Sequence, residues 1–335
     1  MSLFKVYVTE KSYDDYSAEK AILSRAGAMV GFARCNTEDD IIHQCRDAHG
    51  LLVRQTPVGE KALKELKNLV VISRYGCGYD NIDIDAATHY GVVVTVVPDY
   101  CTGEVADHAI ALLLSCIRKI LPRDRAVRTG GWDLTSTLPV ARSYNRIMGL
   151  VGYGKTAREV RNRLSGFPFR FAACDPYIPP EIFEMDRTIR LDFDKLIMVS
   201  DYISIHLPLT RETHHLFNLN AFKKMRRGAI LVNTSRGQVI NTAHLCQALH
   251  NKYISAAALD VFEQEPFDPS HPLAGIDSVV LSDHASWYSE QSQKELQQKT
   301  AAEAARVLTG HLSGNLVNPS ALEVQKPAKR QAVVL

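Results

Sequence analysis

Leu150-Val151-Gly152-Tyr153-Gly154-Lys155-Thr156-Ala157 could hold a pyrophosphate against the backbone. The run follows an apolar stretch of strand character and opens a helical one. Gly152 permits a tight turn, Gly154 leaves room for a phosphate to approach, and Ala157 is small enough for helix to pack on strand. The start of the helix offers N–H donors and the positive end of its dipole to an anion. A G-x-G-x-x-A pattern alone carries little information in a chain with 19 glycines. Asp175 adds weight, because it ends the next strand 23 residues beyond Gly152. An acid there accepts from a ribose 2′-hydroxyl and repels a 2′-phosphate, which favours NAD(H) over NADP(H). The competing reading of Asp175-Pro176 is an ordinary turn.

A nicotinamide would need a reaction partner. Hydride transfer to a ketone requires a proton donor for the developing alkoxide and a cation for a neighbouring carboxylate. Histidine is the acid/base suited to neutral pH, and a carboxylate beside it favours the protonated form. Arginine offers a planar fork that fits a carboxylate and polarises a carbonyl. Three residues of these types follow successive strand candidates: Arg236 in Asn233-Thr-Ser-Arg236-Gly237, Glu265 in Asp260-Val-Phe-Glu-Gln-Glu265-Pro266, and His284 in Ser282-Asp-His284. Glu263 is the rival carboxylate, and the Glu-Pro step favours Glu265. Spacing alone does not establish that the three meet.

These residues need a sheet to hold them. Short apolar runs alternate with amphipathic stretches, the pattern of a parallel α/β fold. The first third offers strands at Phe4–Val8, Leu51–Val53, Leu69–Ile72 and Val92–Val97. Val105–Ile117 carries a helical apolar stripe through Ala109, Leu112, Leu113 and Cys116. After a loop over Gly130–Tyr144 the pattern restarts with Ile147–Val151, then Phe169–Cys174, Tyr202–Ile205, Ala229–Asn233, Ile254–Leu259 and Ser278–Leu281. That makes six strands, the count of a full dinucleotide-binding sheet. Lys155–Ser165 and Asn241–Asn251 read as intervening helices. Trp287–Leu308 reads as a long helix ended by Gly310, and Ala321–Leu335 as a frayed tail.

Composition narrows the function classes. At 335 residues the chain suits two domains. A net charge of +2 supplies no basic field for nucleic acid, so any attraction for anions must come from local arginines. The seven cysteines are scattered without a C-x-x-C pair, which points to reduced thiols in a cytoplasmic protein and to no metal site. The N-terminus turns polar within eight residues, unlike a signal peptide. No apolar run approaches the roughly 18 residues of a membrane span.

Asn-Thr-Ser-Arg-Gly, Asp-Val-Phe-Glu-Gln-Glu-Pro and Asp283-His-Ala-Ser-Trp-Tyr-Ser-Glu290, in that order after the glycine motif, resemble the D-isomer-specific 2-hydroxyacid dehydrogenases. The likeness spans nearly the whole chain and includes Arg74-Tyr-Gly76-Cys-Gly78-Tyr-Asp80-Asn-Ile-Asp83 and Glu104-Val-Ala-Asp107. Arg74, Asp80-Asn-Ile-Asp83 and Trp287-Tyr-Ser-Glu290 are most similar to the C-terminal-binding-protein branch. The resemblance implies two Rossmann-like domains: a doubly wound parallel NAD-binding domain over residues 102–291, inserted into a smaller flavodoxin-like catalytic domain of residues 1–101 and 292–335. It implies a homodimer formed largely through the cofactor domain. It also implies NAD-linked hydride transfer on a small D-2-hydroxy or 2-keto acid, with no membrane or nucleic-acid partner.

Residue by residue, the resemblance makes His284 the acid/base, Glu265 the partner that favours its protonated form, and Arg236 the substrate clamp. The backbone at Cys77–Gly78 would take the carboxylate, with Arg54, Arg74 and Trp287 shaping the pocket. Two extra arginines there suggest a second anionic group on the substrate. Thr102, Gly152 to Thr156, Asp175, His206, Leu207, Pro208, Thr213, Thr234, Ser235, Arg236, Asp260 and His284 would line the cofactor. Ala157 and Ser286 depart from the commonest pattern, Ser286 beside the expected nicotinamide site. The alternatives are an NAD(H)-sensing corepressor-like protein and a dehydrogenase for phosphite or formate. Glu265 counts against formate, since formate dehydrogenases of this superfamily carry Gln there.

Overall fold

Five short strands of the first hundred residues line up as a parallel sheet. They are β1 (Phe4–Val8), β2 (Ala28–Phe32), β3 (Gly50–Val53), β4 (Val71–Arg74) and β5 (Val93–Thr95), in the order β2-β1-β3-β4-β5. The structure is a computed structural model that describes residues 3–135, 139–311 and 314–324. By contact density the chain divides into one unit of Met1–Tyr100 with Ser289–Leu335, and a second of Cys101–Tyr288.

Helix Glu290–Leu308 belongs to the first unit. Ser73 Oγ donates to the Thr300 carbonyl at 2.8 Å, and Gln297 Nε2 reaches the Asp15 carbonyl at 2.7 Å and Glu19 at 3.0 Å. The helix starts at Glu290, three residues beyond Trp287, because Ser289 takes the Ser292 N–H at 2.9 Å and Ser292 Oγ takes the Ser289 N–H at 2.8 Å. This reciprocal cap sets the boundary that hydrophobic periodicity misplaces. Gly310 follows with a φ of +79°, as a helix stop requires. Of the expected tail, Ala321–Val324 forms a short helix with Ala321 buried, and 325–335 lies outside the described residues.

The second unit holds β6 (Arg146–Val151), β7 (Phe169–Cys174), β8 (Ile189–Arg190), β9 (Tyr202–Ile205), β10 (Ala229–Asn233), β11 (Ile254–Leu259) and β12 (Val279–Leu281). All pair in parallel in the order β12-β11-β10-β9-β6-β7-β8. Among the described residues the sheet therefore has seven strands rather than six. The extra edge strand β8 has only two residues, both exposed, so it presents no apolar run. Neighbouring residues feed opposite faces. Leu150, Ala173 and Val232 pack against helices Thr102–Arg118 and Lys155–Arg163, while Val151, Ala172 and Leu231 enter the opposite apolar layer around Phe217 and Phe222. Burial on both faces explains why these strands read as continuous apolar runs. Chain order reverses between β6 and β9, and the carboxyl ends there form the crevice in which such sheets bind ligands. Among the described residues, no helix is long and apolar enough to cross a membrane.

Candidate active site

The crevice begins at Gly152, which leaves β6 with a φ of +83° and donates its N–H to the Cys174 carbonyl at 2.9 Å. A Cβ here would stand 2.6 Å from the His206 carbonyl oxygen, so backbone crosses backbone where only glycine fits. The next N–H, of Tyr153, donates to Asp175 Oδ2 at 2.8 Å, and Tyr177 N–H donates to Oδ1 at 2.9 Å. Asp175 is thereby fixed beside the glycine turn.

Gly154 caps helix Lys155–Arg163 without a side chain, and a Cβ there would meet nothing within 4 Å. Lys155 is exposed, Thr156 half-buried, and Ala157 fully buried. The Tyr153 ring is not turned to the crevice. It is buried, stacked on Phe183 at 4.7 Å, with its hydroxyl bound to Asp186 at 3.0 Å and Thr188 at 2.9 Å. Only its backbone belongs to the turn.

Across the crevice, His206 follows β9. Its Nε2 is sealed from solvent without a partner among the described residues, and burial pushes the imidazole down to about 4. Thr213 Oγ1 donates to the Pro208 carbonyl and accepts the Thr210 N–H, both at 2.7 Å, which closes the loop from Leu207 to Thr213. Thr234 Oγ1, after β10, is a second buried polar atom without a partner among the described residues. Such orphans call for a polar ligand or water to satisfy them. With the glycine cradle and Asp175, they fit a dinucleotide. Thr102 opens helix Thr102–Arg118 and is half-buried.

The turn after β10 is built by Asn233, whose Oδ1 accepts Ser235 N–H at 3.0 Å and Ser235 Oγ at 2.8 Å, while Nδ2 donates to the Arg236 carbonyl at 2.9 Å. Arg236 sends one guanidinium nitrogen to the Ser235 carbonyl at 2.8 Å. A Cβ on Gly237 would overlap the Phe262 carbonyl, so this turn lies directly on the one that follows β11. On that second turn, Glu265 Oε1 accepts the Phe262 N–H at 3.0 Å and Oε2 meets His284 Nδ1 at 2.7 Å. The side chains of His284 and Glu265 are 39% and 30% exposed, hence reachable by a substrate. Burial raises the Glu265 carboxyl, but the His284 hydrogen bond and charge, the Phe262 N–H and the Arg236 charge outweigh it and hold it below its ordinary value.

His284 has a φ of +57°, uncommon for a residue with a side chain. Asp260 maintains that conformation. Its carbonyl takes the His284 N–H at 2.8 Å, and its buried carboxylate takes Ser282 Oγ (2.7 Å), Ala285 N–H (2.9 Å) and Ser286 N–H (3.0 Å). His108 reaches Ser282 Oγ at 2.9 Å. The Asp260 carboxylate is thus committed to the loop carrying His284, and Ser286 is buried within it. Neither His108 nor this loop-holding part of Asp260 was signalled by sequence spacing.

The rival acid, Glu263, points elsewhere and pairs with His215 Nε2 at 2.6 Å. Trp287 is half-buried, with its ring edge-on to Tyr288 at 5.6 Å.

The remaining predicted residues lie in the first unit. Glu10 accepts the N–H groups of Arg54, Gln55 and Thr56 and so shapes the turn after β3. Arg74, at the end of β4, donates to the Tyr75 carbonyl at 2.5 Å and occupies the space beside Gly76, whose φ is +125°. Cys77 is exposed and Gly78 half-buried. The structure adds Tyr13, which sequence spacing does not single out. Its buried hydroxyl has no partner among the described residues. Burial raises it to about 12, against the charges of Arg54 and Arg74, so both arginines stand near it.

Comparison with known proteins identifies the family. The profile of the D-isomer specific 2-hydroxyacid dehydrogenase NAD binding domain matches residues 110–286. A glyoxylate reductase of Korarchaeum cryptofilum is 36% identical over 292 residues, 86% of this chain and 88% of that protein. A D-3-phosphoglycerate dehydrogenase of Archaeoglobus fulgidus is 35% identical over 91% of this chain and 58% of its own length. The crystal structure of a glyoxylate reductase from Paecilomyes thermophila superposes with a TM-score of 0.84 at 26% identity, over 93% of this chain and 97% of that one. The family profile and these relatives, on a parallel sheet with a glycine turn at its switch point, make the chain an NAD-dependent oxidoreductase that belongs to the D-isomer specific 2-hydroxyacid dehydrogenase family.

Proposed function

We propose that this enzyme reduces a small 2-keto acid to the D-2-hydroxy acid with NADH, and runs the reverse reaction with NAD+. The observation that carries the reading is the 2.7 Å pair of His284 and Glu265, with Arg236 on the turn packed against theirs. NADH, when bound, supplies the hydride. Glu265 holds Nδ1 of His284, which leaves Nε2 to give a proton to the carbonyl oxygen or, in reverse, to take the hydroxyl proton. Arg236 binds the substrate carboxylate and polarises the carbonyl. Asp175 receives the ribose hydroxyls. Backbone N–H groups at Cys77–Gly78 anchor the carboxylate, and Arg54, Arg74 and Trp287 border the substrate.

Two relatives named for glyoxylate and phosphoglycerate chemistry support a short keto acid. The nearness of Arg54 and Arg74 to Tyr13 supports a second anionic group on it. Arg74, Asp80-Asn-Ile-Asp83 and Trp287 support a place beside the C-terminal-binding-protein branch. A homodimer is supported by helix Ile120–Arg128, which buries none of its residues, and by exposed Ile120, Val127, Trp132, Leu134 and Tyr144. Seven cysteines with no disulfide support a reducing, cytoplasmic setting.

The test is NADH oxidation across a panel of 2-keto acids that includes glyoxylate and doubly charged members. Steady turnover of one or more supports the reading. NADH binding without turnover of any overturns it in favour of a sensor.

A further inference from the structure

Glu263 stands two residues before Glu265 on the same irregular turn, and it ties that turn to three other segments. Its Oε1 meets His215 Nε2 at 2.6 Å, its Oε2 accepts the N–H of Thr242 at 2.5 Å, and its carbonyl accepts Gln238 Nε2 at 3.3 Å. His215 in turn donates its N–H to the Gln238 carbonyl at 2.8 Å and accepts Asn218 Nδ2 on its own carbonyl at 3.2 Å. Asn241 Nδ2 lies 3.4 Å from His215 Nδ1, and the His214 ring stacks on it at 3.9 Å. His215 has a φ of +52°, a conformation that its many bonds hold in place.

An exposed ion pair stabilises little. This one is 31% exposed on each side, and both partners are bound further. Burial raises Glu263, yet the Thr242 and His215 bonds outweigh it and keep the carboxylate ionised below its ordinary range. Gln238 immediately follows Gly237, whose backbone lies on Phe262. The pair therefore grips the Arg236 turn and the Glu265 turn at the same place.

We propose that His215 and Glu263 are a positioning pair which holds Arg236 and Glu265 in register for the reaction. The inference rests on the catalytic roles proposed above for those two residues. Neither member of the pair touches substrate in this assignment; they act through the two turns. A displacement of about 1 Å at a reacting group costs up to roughly a hundredfold in rate.

The experiment uses the full-length enzyme with NADH and the best keto acid of the panel. The variants are Glu263→Ala, Glu263→Gln, His215→Ala, His215→Gln and the double His215→Ala/Glu263→Ala. Each single alanine variant is expected to lower kcat about tenfold, with KM changed less. Glu263→Gln keeps a carbonyl oxygen for Thr242 and recovers most of the rate. The double variant falls no further than the worse single one, as expected of partners in one interaction. Hydrogen exchange followed by mass spectrometry is expected to quicken at 234–238 and 261–266 in both single alanine variants.

Normal kcat per folded molecule, even with a lowered melting temperature, overturns the proposal, and so do additive losses. Should Glu263→Ala fail to fold, His215→Gln carries the same comparison. If the wild-type enzyme turns over no keto acid, the catalytic reading fails by itself. The exchange comparison then still decides whether the pair holds the two turns, and unchanged exchange refutes it.

Discussion

Nδ1 of His284 lies 2.7 Å from Oε2 of Glu265, whose other oxygen is held at 3.0 Å by the Phe262 N–H. With both oxygens committed, the carboxylate cannot swing away and the imidazole has one orientation. Replacing His284 by Ala should lower kcat at least about a hundredfold, as should Arg236→Ala, the losses typical of a removed general acid or charge clamp. Arg236→Lys should recover little, because an ammonium lacks the planar fork. Initial rates of NADH oxidation at saturating keto acid check this, and near-normal turnover in either alanine variant removes the assigned role.

The pair also sets a pH response. Glu265 has a folded pKa below its unfolded value, so the folded state binds fewer protons there. Its contribution to stability is present above about pH 4.5 and is lost as pH falls through the folded value. In the role proposed for Glu265 the carboxylate must be ionised, so keto-acid reduction should keep its rate below the ordinary glutamate range. Glu265→Gln should abolish the dependence on that ionisation, visible as a missing acid limb in kcat/KM against pH.

His206 provides a second case of the same sign, set by burial rather than by a partner. Burial lowers this imidazole from 6.5 to about 4, so the unfolded chain protonates first as pH falls. Stability should be full above pH 6.5 and decline steadily towards pH 4. His206→Asn should flatten that decline relative to wild type in melting curves recorded without cofactor between pH 7 and 5. Parallel curves for the two proteins would refute the assignment.

Asp175 faces two backbone donors at the end of β7, next to the glycine turn. Asp175→Ala should weaken NADH and narrow the preference over NADPH, by about tenfold for the loss of one charged hydrogen bond. Fluorescence titration with both cofactors measures the ratio, and an unchanged ratio removes Asp175 from the ribose site.

Trp132 is 90% exposed next to Leu134, beyond a helix that buries nothing. Trp132→Asp should convert a dimer to monomers in light scattering after size exclusion, with the fold retained by circular dichroism. A wild-type monomer at micromolar concentration would dispose of the dimer.

Most strands were legible because burial on both faces leaves continuous apolar runs, as in Leu231-Val232. β2 escaped notice: its burial fades from Ala28 to exposed Met29 and Phe32, with Gly31 between them, so neither alternation nor an apolar block marks it. β8 is two exposed residues. In the site, sequence spacing favoured Glu265 over Glu263 through the Glu-Pro step, and the geometry pairs Glu265 with His284. The partner of Glu263 was not legible, since His215 lies 48 residues away and meets it only through folding. Nor does any local signal announce the positive φ of His284, which Asp260 enforces from 24 residues upstream.

A methyl group at position 237 would collide with the Phe262 carbonyl, so the turn of Arg236 cannot be redrawn without displacing that of Glu265. Selection and protein engineering meet the same restriction: mutational freedom there is nearly nil. The proposed substrate-side positions Arg54, Arg74 and Cys77, together with Tyr13, belong to separate stretches of the chain that take no part in this contact. A library diversified at those four codons, with Gly237 and Phe262 held constant, can explore new acids while leaving the proposed proton-transfer residues and their turns unaltered.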